Sequence, residues 1–192
     1  MTRVPFTPAL LAVAALSSSQ AMAGYTFEEG NLSGEATLTV GGATVSTRNV
    51  NFGAGGIDQR NGRNIGTRVD WQEFYLKPGV TLKYAIDPDF DLIAGGSVVS
   101  AKTFGDGDAG GFTRSSDGYT AMEEAYAGFR AGEWTFTAGR QNYLIGNGFI
   151  VMDGNLDSKG DGAYWLGPRS AFRDSAVLAW DHGALKAQAF SL

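Results

Sequence analysis

Apolar and polar residues alternate with a period of two through most of the chain. Leu32, Gly34, Ala36, Leu38 and Val40 interleave with Ser33, Glu35, Thr37 and Thr39, the signature of a strand with one apolar and one polar face. At Gly41-Gly42 the phase shifts, because Ala43 and Val45 now hold the apolar positions; paired glycines predict a bulge or bend there. A second strand carries Phe74, Leu76, Val80, Leu82, Tyr84 and Ile86 on one face and Glu73, Lys77, Thr81 and Lys83 on the other. Pro78 cannot donate to a ladder, so a local break is expected at Pro78-Gly79. After the turn Asp87-Pro88-Asp89 the alternation resumes through Phe90, Leu92, Ala94, Gly96 and Val98. The stretch Ala121 to Arg130 is extended but ambiguous in facing, and its neighbours Glu123 and Glu124 should point to opposite sides. Trp134, Phe136 and Ala138 alternate with Thr135 and Thr137, a further strand covers Ser175 to Trp180, and a last one starts at Ala184. That makes about seven strands and no helix.

The connections alternate in length. Those over 48–66, 104–119 and 139–174 are long and rich in Gly, Asp and Asn, whereas Asp87–Asp89, Ala131–Glu133 and Asp181–Gly183 are tight turns. A soluble sandwich has no reason for this regularity; outer-membrane barrels have it, with short periplasmic turns and long extracellular loops. Tyr84 and Phe90 flank one short turn, Phe129 and Trp134 the next, and Trp180 the third, as in the aromatic girdle at a membrane interface. The expected fold is an all-β antiparallel transmembrane barrel. Lipid offers backbone groups no hydrogen-bond partner, so the sheet must close on itself. Single-chain bacterial barrels have even strand numbers, and residues 24–192 therefore read as the N-terminal portion of a larger one. The alternative is a secreted or surface β-sandwich module that buries Phe74, Leu76, Leu82, Trp134 and Phe136 and binds a saccharide or protein partner.

Composition narrows the class. Arg3, the apolar run Ala9 to Leu16 and the small-residue site Ala21-Met22-Ala23 read as a cleaved signal peptide over residues 1–23, which implies export and an outer-membrane location in a Gram-negative envelope. There is no cysteine, so stability rests on hydrogen bonding and packing. A formal net charge of −5 and pI near 4.8 exclude nucleic acid as the expected partner, since that requires a basic face. Lipid and a small solute are the partners this leaves.

The longest connection, Gly139 to Asp174, gathers charges of both signs. Arg140, Lys159, Arg169 and Arg173 oppose Asp153, Asp157, Asp161 and Asp174, among glycines and the aromatics Tyr164 and Trp165. A connection of this length is functional or disordered, and the embedded rings favour order. Four charges of each sign suit a pore constriction that sorts small polar or anionic solutes by charge and dipole. Gly139-Arg140-Gln141 at a strand end, Gly146-Asn147-Gly148-Phe149 in the loop, and Tyr164-Trp165-Leu166-Gly167-Pro168-Arg169-Ser170-Ala171-Phe172 before the next strand resemble the alginate-export family of outer-membrane porins. Asp70 to Gly79 resembles that family's second strand. The resemblance covers most of the chain after residue 23 but only the N-terminal part of a family member. It implies a barrel on the order of 16–18 strands, a pore lined by charged side chains, and an alginate-export-like conduit as one form of the function.

Nothing in the sequence points to an enzyme or a cofactor. His182, the single histidine, sits in a turn, and its neighbour Asp181 points away from it in extended chain. Asp106-Gly107-Asp108-Ala109-Gly110-Gly111 offers one copy of a glycine-aspartate motif without the flanking repeat that calcium binding uses. No Gly-x-Ser-x-Gly nucleophile motif occurs.

Overall fold

The computed structural model describes residues 15–145, 148, 151 and 161–192. Among the described residues there are ten strands: β1 (Ala15–Glu29), β2 (Leu32–Arg48), β3 (Gly56–Ile57), β4 (Asn64–Gly66), β5 (Arg68–Asp87), β6 (Phe90–Gly105), β7 (Gly118–Ala131), β8 (Trp134–Gln141), β9 (Phe172–His182) and β10 (Leu185–Ser191). Eight form one antiparallel sheet in the order β1-β2-β5-β6-β7-β8-β9-β10, and β3 pairs with β4 in a small hairpin. Each strand of the large sheet thus lies beside its neighbours in sequence. Among the described residues β1 and β10 form the two edges, and the sheet is not closed by a ladder between them.

The large sheet has one strand more than the sequence pattern yields. The extra one is β1, whose residues Ala15 to Ala23, expected to belong to the leader, pair with Leu38 to Ser46 of β2. The Ser- and Ala-rich composition of that run carries no two-faced alternation and so gives no strand signal. Its register with β2, like that of β2 with β5, is unbroken, so the bend expected at Gly41-Gly42 is absent. The phase shift has another cause: Val45 is buried on the same face as Glu35 and Thr37, because the long loops cover that end of the face. Gly41 is needed for a different reason. It pairs directly with Tyr75, and a β-carbon there would lie 2.1 Å from the tyrosine ring. Gly95 and Tyr126 form a second such pair, the use of an aromatic to cover a strand glycine.

At Pro78 the ladder to β2 is intact, while pairing with β6 is interrupted at Lys77 and Pro78 and resumes in the same register. The proline therefore breaks one side of the ladder only. In β7 the register with β6 shifts, Ser97 facing Glu124 and Val98 facing Met122. Glu123 is the extra residue of a β-bulge. The bulge corrects the expectation for the two glutamates, which both reach the same face, and it accounts for the ambiguous pattern of this strand.

The faces of the sheet differ in kind. On β5 the even-numbered residues Phe74, Leu76, Val80 and Tyr84 are 46, 37, 38 and 48% exposed, while Trp71, Glu73 and Tyr75 are 4, 2 and 4% exposed. Leu92, Val98, Phe104, Met122, Trp134 and Leu178 extend the exposed apolar face across β6 to β9. The covered face has two small apolar clusters, Tyr75-Val99-Ala101-Ala163 and Val45-Val69-Trp71, beneath the long loops. Farther toward the short turns the same face is polar: buried Asp91 accepts a hydrogen bond from Arg130 at 2.6 Å and lies 3.7 Å from Lys83 Nζ. Aromatics line the exposed face near the short turns, with Phe90 on Phe129 at 5.8 Å, Phe129 on Phe136 at 5.7 Å and Trp134 on Trp180 at 6.2 Å between ring centroids.

Candidate pore-lining site

The site forms where residues 161–171, the described end of the third long loop, return over the covered face of the sheet. Two strand glutamates hold it. Glu73 of β5 accepts the backbone N–H of Leu166 at 3.0 Å and of Trp165 at 3.3 Å, along with the indole N–H of Trp71 at 3.2 Å. The two amides belong to the 3-10 turn Tyr164–Leu166, whose first amides have no partner inside the turn itself. Glu123, 1% exposed at the β7 bulge, accepts the amides of Ser170 at 2.6 Å and Ala171 at 2.8 Å and the Arg169 Nε–H at 3.3 Å. Between these anchors Ala163 is fully buried and donates its amide to Thr103 Oγ1 at 2.9 Å. Lys77 Nζ donates to the Pro168 carbonyl at 3.4 Å. A buried carboxylate is tolerated only when several donors meet it, and a loop with free amides supplies them.

The charged residues expected at the constriction divide into two groups. Arg140, Asp161, Arg169, Arg173 and Asp174 line one cavity of about 630 Å3 together with Tyr119 and Met122. Asp153, Asp157 and Lys159 lie outside the described residues. Arg169 is the fixed centre: its Nη1 also pairs with Asp161, and its guanidinium sits over the Tyr119 ring, 5.0 Å from the centroid. Arg140 occupies the top of β8, which stops short. Only Ala125 to Ala131 of β7 pair with β8, so the upper part of β7 has a free edge on that side. The Arg140 Nη1 donates to one of the carbonyls exposed there, Met122 O, at 3.0 Å. The cavity is this notch between β7 and the start of β9, backed by the loop.

Glu124, on the same face through the bulge, accepts Ser97 Oγ–H at 2.7 Å and Asn142 Nδ2–H at 2.9 Å. Ser170 Oγ–H in turn donates to Asn142 Oδ1 at 2.7 Å, tying both ends of the loop to one wall. The pattern of residue types gave Glu73 and Thr103 no role, and it set Glu123 and Glu124 on opposite faces. The one available signal was a carboxylate inside each of two strands, which gains meaning only beside a loop with free amides.

The first two long loops cap the third. The connection from β2 to β5, expected as plain loop, contains the β3–β4 hairpin and a 3-10 turn at Val50–Gly53. Arg114 of the second loop donates to Asp58 of the first at 2.8 Å, and Arg60 of the first pairs with Asp117 of the second. This crossed arrangement holds the Asp58 carboxyl below the ordinary carboxylate range, the Arg114 hydrogen bond being the largest cause and burial opposing it. Phe112 stacks on Tyr164 with centroids 4.3 Å apart and meets Trp165 edge-on at 6.1 Å, joining the second loop to the third. Asp108 is consumed within its own loop by Gly110 N–H, Thr113 N–H and Thr113 Oγ–H. Among the described residues no cluster of three or more His, Asp or Glu is arranged to hold a metal. His182 Nδ1 lies 2.5 Å from Glu133 Oε1 of the neighbouring short turn, a partner the sequence order conceals, and its ring stacks on Trp180.

Compared with protein-family models, characterised proteins and solved structures, the chain matches none. Its class therefore rests on the sheet and on the loop seated on it.

Proposed function

We propose that the chain is the wall of an outer-membrane diffusion pore, its third loop folded inward to narrow the lumen for small polar or anionic solutes. One observation carries the reading: the face that the loops cover is mixed under them and polar toward the short turns, while the face of large apolar side chains is bare. Water reverses that arrangement, because burying apolar surface is the main favourable contribution to folding. A bilayer favours it, with lipid on the apolar side and water on the other. The dimensions agree. From Phe74 to Tyr84 the exposed side of β5 runs about 34 Å at roughly 3.4 Å per residue, or about 26 Å of membrane thickness at the usual tilt of about 40°.

A β-sandwich module would bury Phe74, Leu76 and Trp134, which are exposed. The resemblance to the alginate-export family agrees with the pore reading, and the leader-like residues 1–23 would deliver the chain to the envelope, their removal leaving Gly24–Glu29 of β1 paired with β2. Selectivity arises from Arg169 and Arg173 facing Asp161 and Asp174, without bond chemistry; Arg140 stands at the rim of the notch, on the side of Phe136 and Ala138.

Membrane fractionation of the full gene product followed by gel migration before and after boiling tests the class. Outer-membrane recovery with a mobility shift, and then conductance in planar bilayers, is the expected result. Recovery in the soluble periplasm or the medium contradicts it. In the conducting protein, neutralising Arg169 and Arg173 changes the ratio of anion to cation permeability; an unchanged ratio removes the constriction role.

A further inference from the structure

The wall of the sheet drops at β8. With eight residues that strand is shorter than the roughly 9–11 a tilted strand needs to cross a bilayer, whereas β7 beside it has 14. Beyond Gln141 the chain leaves the wall inward. Asn142 donates to Glu124 at 2.9 Å, and Tyr143 packs its ring 5.1 Å from that of Phe190 and donates its hydroxyl to Gln188 at 2.8 Å. Gln188 belongs to the covered face: a row of directly paired residues leads from it through Ala179, Thr135 and Arg130 to Asp91. The chain that returns to β9 lies on the same face, held by Glu123. Among the described residues, Gly118 to Glu124 of β7 therefore have a strand partner on the β6 side alone.

The register gives the depth of this gap. Met122 pairs with Val98, and both are bare on the apolar face. Two residues higher on that face, Thr120 donates its hydroxyl to Ser100 at 2.9 Å. The lower edge of the gap thus lies at hydrocarbon depth and its upper part at the depth of the headgroups. Unpaired backbone at such a depth is tolerated only inside protein or beside water. Arg140 covers one carbonyl, Met122 O, and the cavity of about 630 Å3 lies against the same edge. That cavity draws its lining from both sides of the sheet: Met122 from the bare face, Tyr119 from the covered face opposite buried Ala101, and Asp161 and Arg169 from the loop. It runs through the thickness of the wall. Its charges cancel, Arg140, Arg169 and Arg173 against Glu123, Asp161 and Asp174.

We propose that the gap beside β7 is a side opening by which a single-chain amphiphile with an uncharged or zwitterionic head passes between the outer leaflet and the lumen. The inference rests on the pore reading and names a second route out of the same lumen. The head keeps to the hydrated, balanced charges of the cavity, and the chain slides past Met122 into lipid. A purely polar solute gains nothing in hydrocarbon and stays in the lumen.

The test uses the absence of cysteine. Single cysteines replace Met122, Val98, Thr81 or Arg173 in the full chain, are labelled with bimane, and are reconstituted in lipid vesicles; circular dichroism confirms the sheet in each variant. The label at Met122 should be quenched both by aqueous iodide and by phospholipid brominated on its acyl chains. Val98 should respond to the brominated lipid alone, and Thr81, on the covered face, to iodide alone. In vesicles of ordinary lipid, added lysophosphatidylcholine with a brominated chain should quench the Arg173 label saturably, and Met122→Trp, which narrows the lower edge, should weaken that quenching. A Met122 label as shielded from iodide as that at Val98 overturns the opening. So does an Arg173 label that the brominated amphiphile leaves untouched, or quenches equally with and without Met122→Trp. Conductance in planar bilayers beside any of these results leaves the pore and removes the opening alone; a Thr81 label shielded from iodide, without conductance, removes the pore and the opening together.

Discussion

The two faces of β5 share one backbone and twenty residues, and they are built on opposite rules. Toward the loops stand Trp71, Glu73, Tyr75 and Lys77, where small apolar clusters are interleaved with a buried carboxylate, Glu73, that three donors meet. Away from them stand Phe74, Leu76, Val80 and Tyr84, large, apolar and bare. In water the second face would drive the fold and the first would be its solvated side. The difference teaches that specificity resides in polar anchoring on one side, and that the surrounding medium must supply what the other side needs.

The largest expected effect lies on the polar face. Glu123→Ala removes the acceptor for two amides and one of the two counter-charges of nearly buried Arg169, and breaking a buried pair on one side costs about 3–5 kcal/mol. Denaturant titration in detergent should show a loss of that size, together with faster proteolysis of residues 161–171. A loss under 1 kcal/mol, on the order of a surface ion pair, would mean that the loop is held by something else.

The apolar face comes next. Val80→Arg should cost about 2–4 kcal/mol in bilayers, the value for a lipid-facing charge near the midplane, while Thr81→Arg on the opposite face should cost little. Equal costs for the two would erase the distinction between the faces. Glu73→Ala follows, at about 1–3 kcal/mol for amides left unsatisfied, read as weakened protection of the Trp165 and Leu166 amides in hydrogen exchange.

The smallest effect is a pH dependence of the cap. Asp58 has a folded pKa below its unfolded one because Arg114 and Arg60 face it. Its contribution is therefore present above the unfolded value, about 3.9, and is lost as pH falls through the lower folded value. Exchange of the amides of Gly111 to Asp117, corrected for intrinsic rates, should accelerate only below about pH 4. Acceleration on raising the pH from neutrality would contradict the sign.

The sequence made β5 legible down to the assignment of each residue to a face, because a two-sided strand repeats with a period of two and nothing interrupts β5 on its β2 side. The alternation of long and short connections was equally legible. In β7 one inserted residue reverses every later side chain, and no residue type announces it, so Glu123 and Glu124 were read as opposed. The shift at Val45 looked like a bend because one face of a single strand passes from an open polar zone to an apolar zone under the loops. Five charges of the long loop and its flanks line one cavity. The carboxylates that anchor the loop did not stand out, since an acceptor and its donors some fifty to ninety residues apart meet only through the order of the strands.

The absence of cysteine makes one measurement especially direct. Single cysteines introduced along β5 at Leu76, Val80 and Leu82, and at Lys77, Thr81 and Lys83, would be probed in lipid vesicles with a membrane-impermeant, water-soluble thiol reagent and with a lipid-soluble one. The inverted sheet predicts a period of two: the odd-numbered positions react with the aqueous reagent, and the even-numbered positions react only with the lipid-soluble one. Equal aqueous reactivity at all six positions, or reaction of the even-numbered set alone with the aqueous reagent, would contradict the assignment of the bare face to lipid.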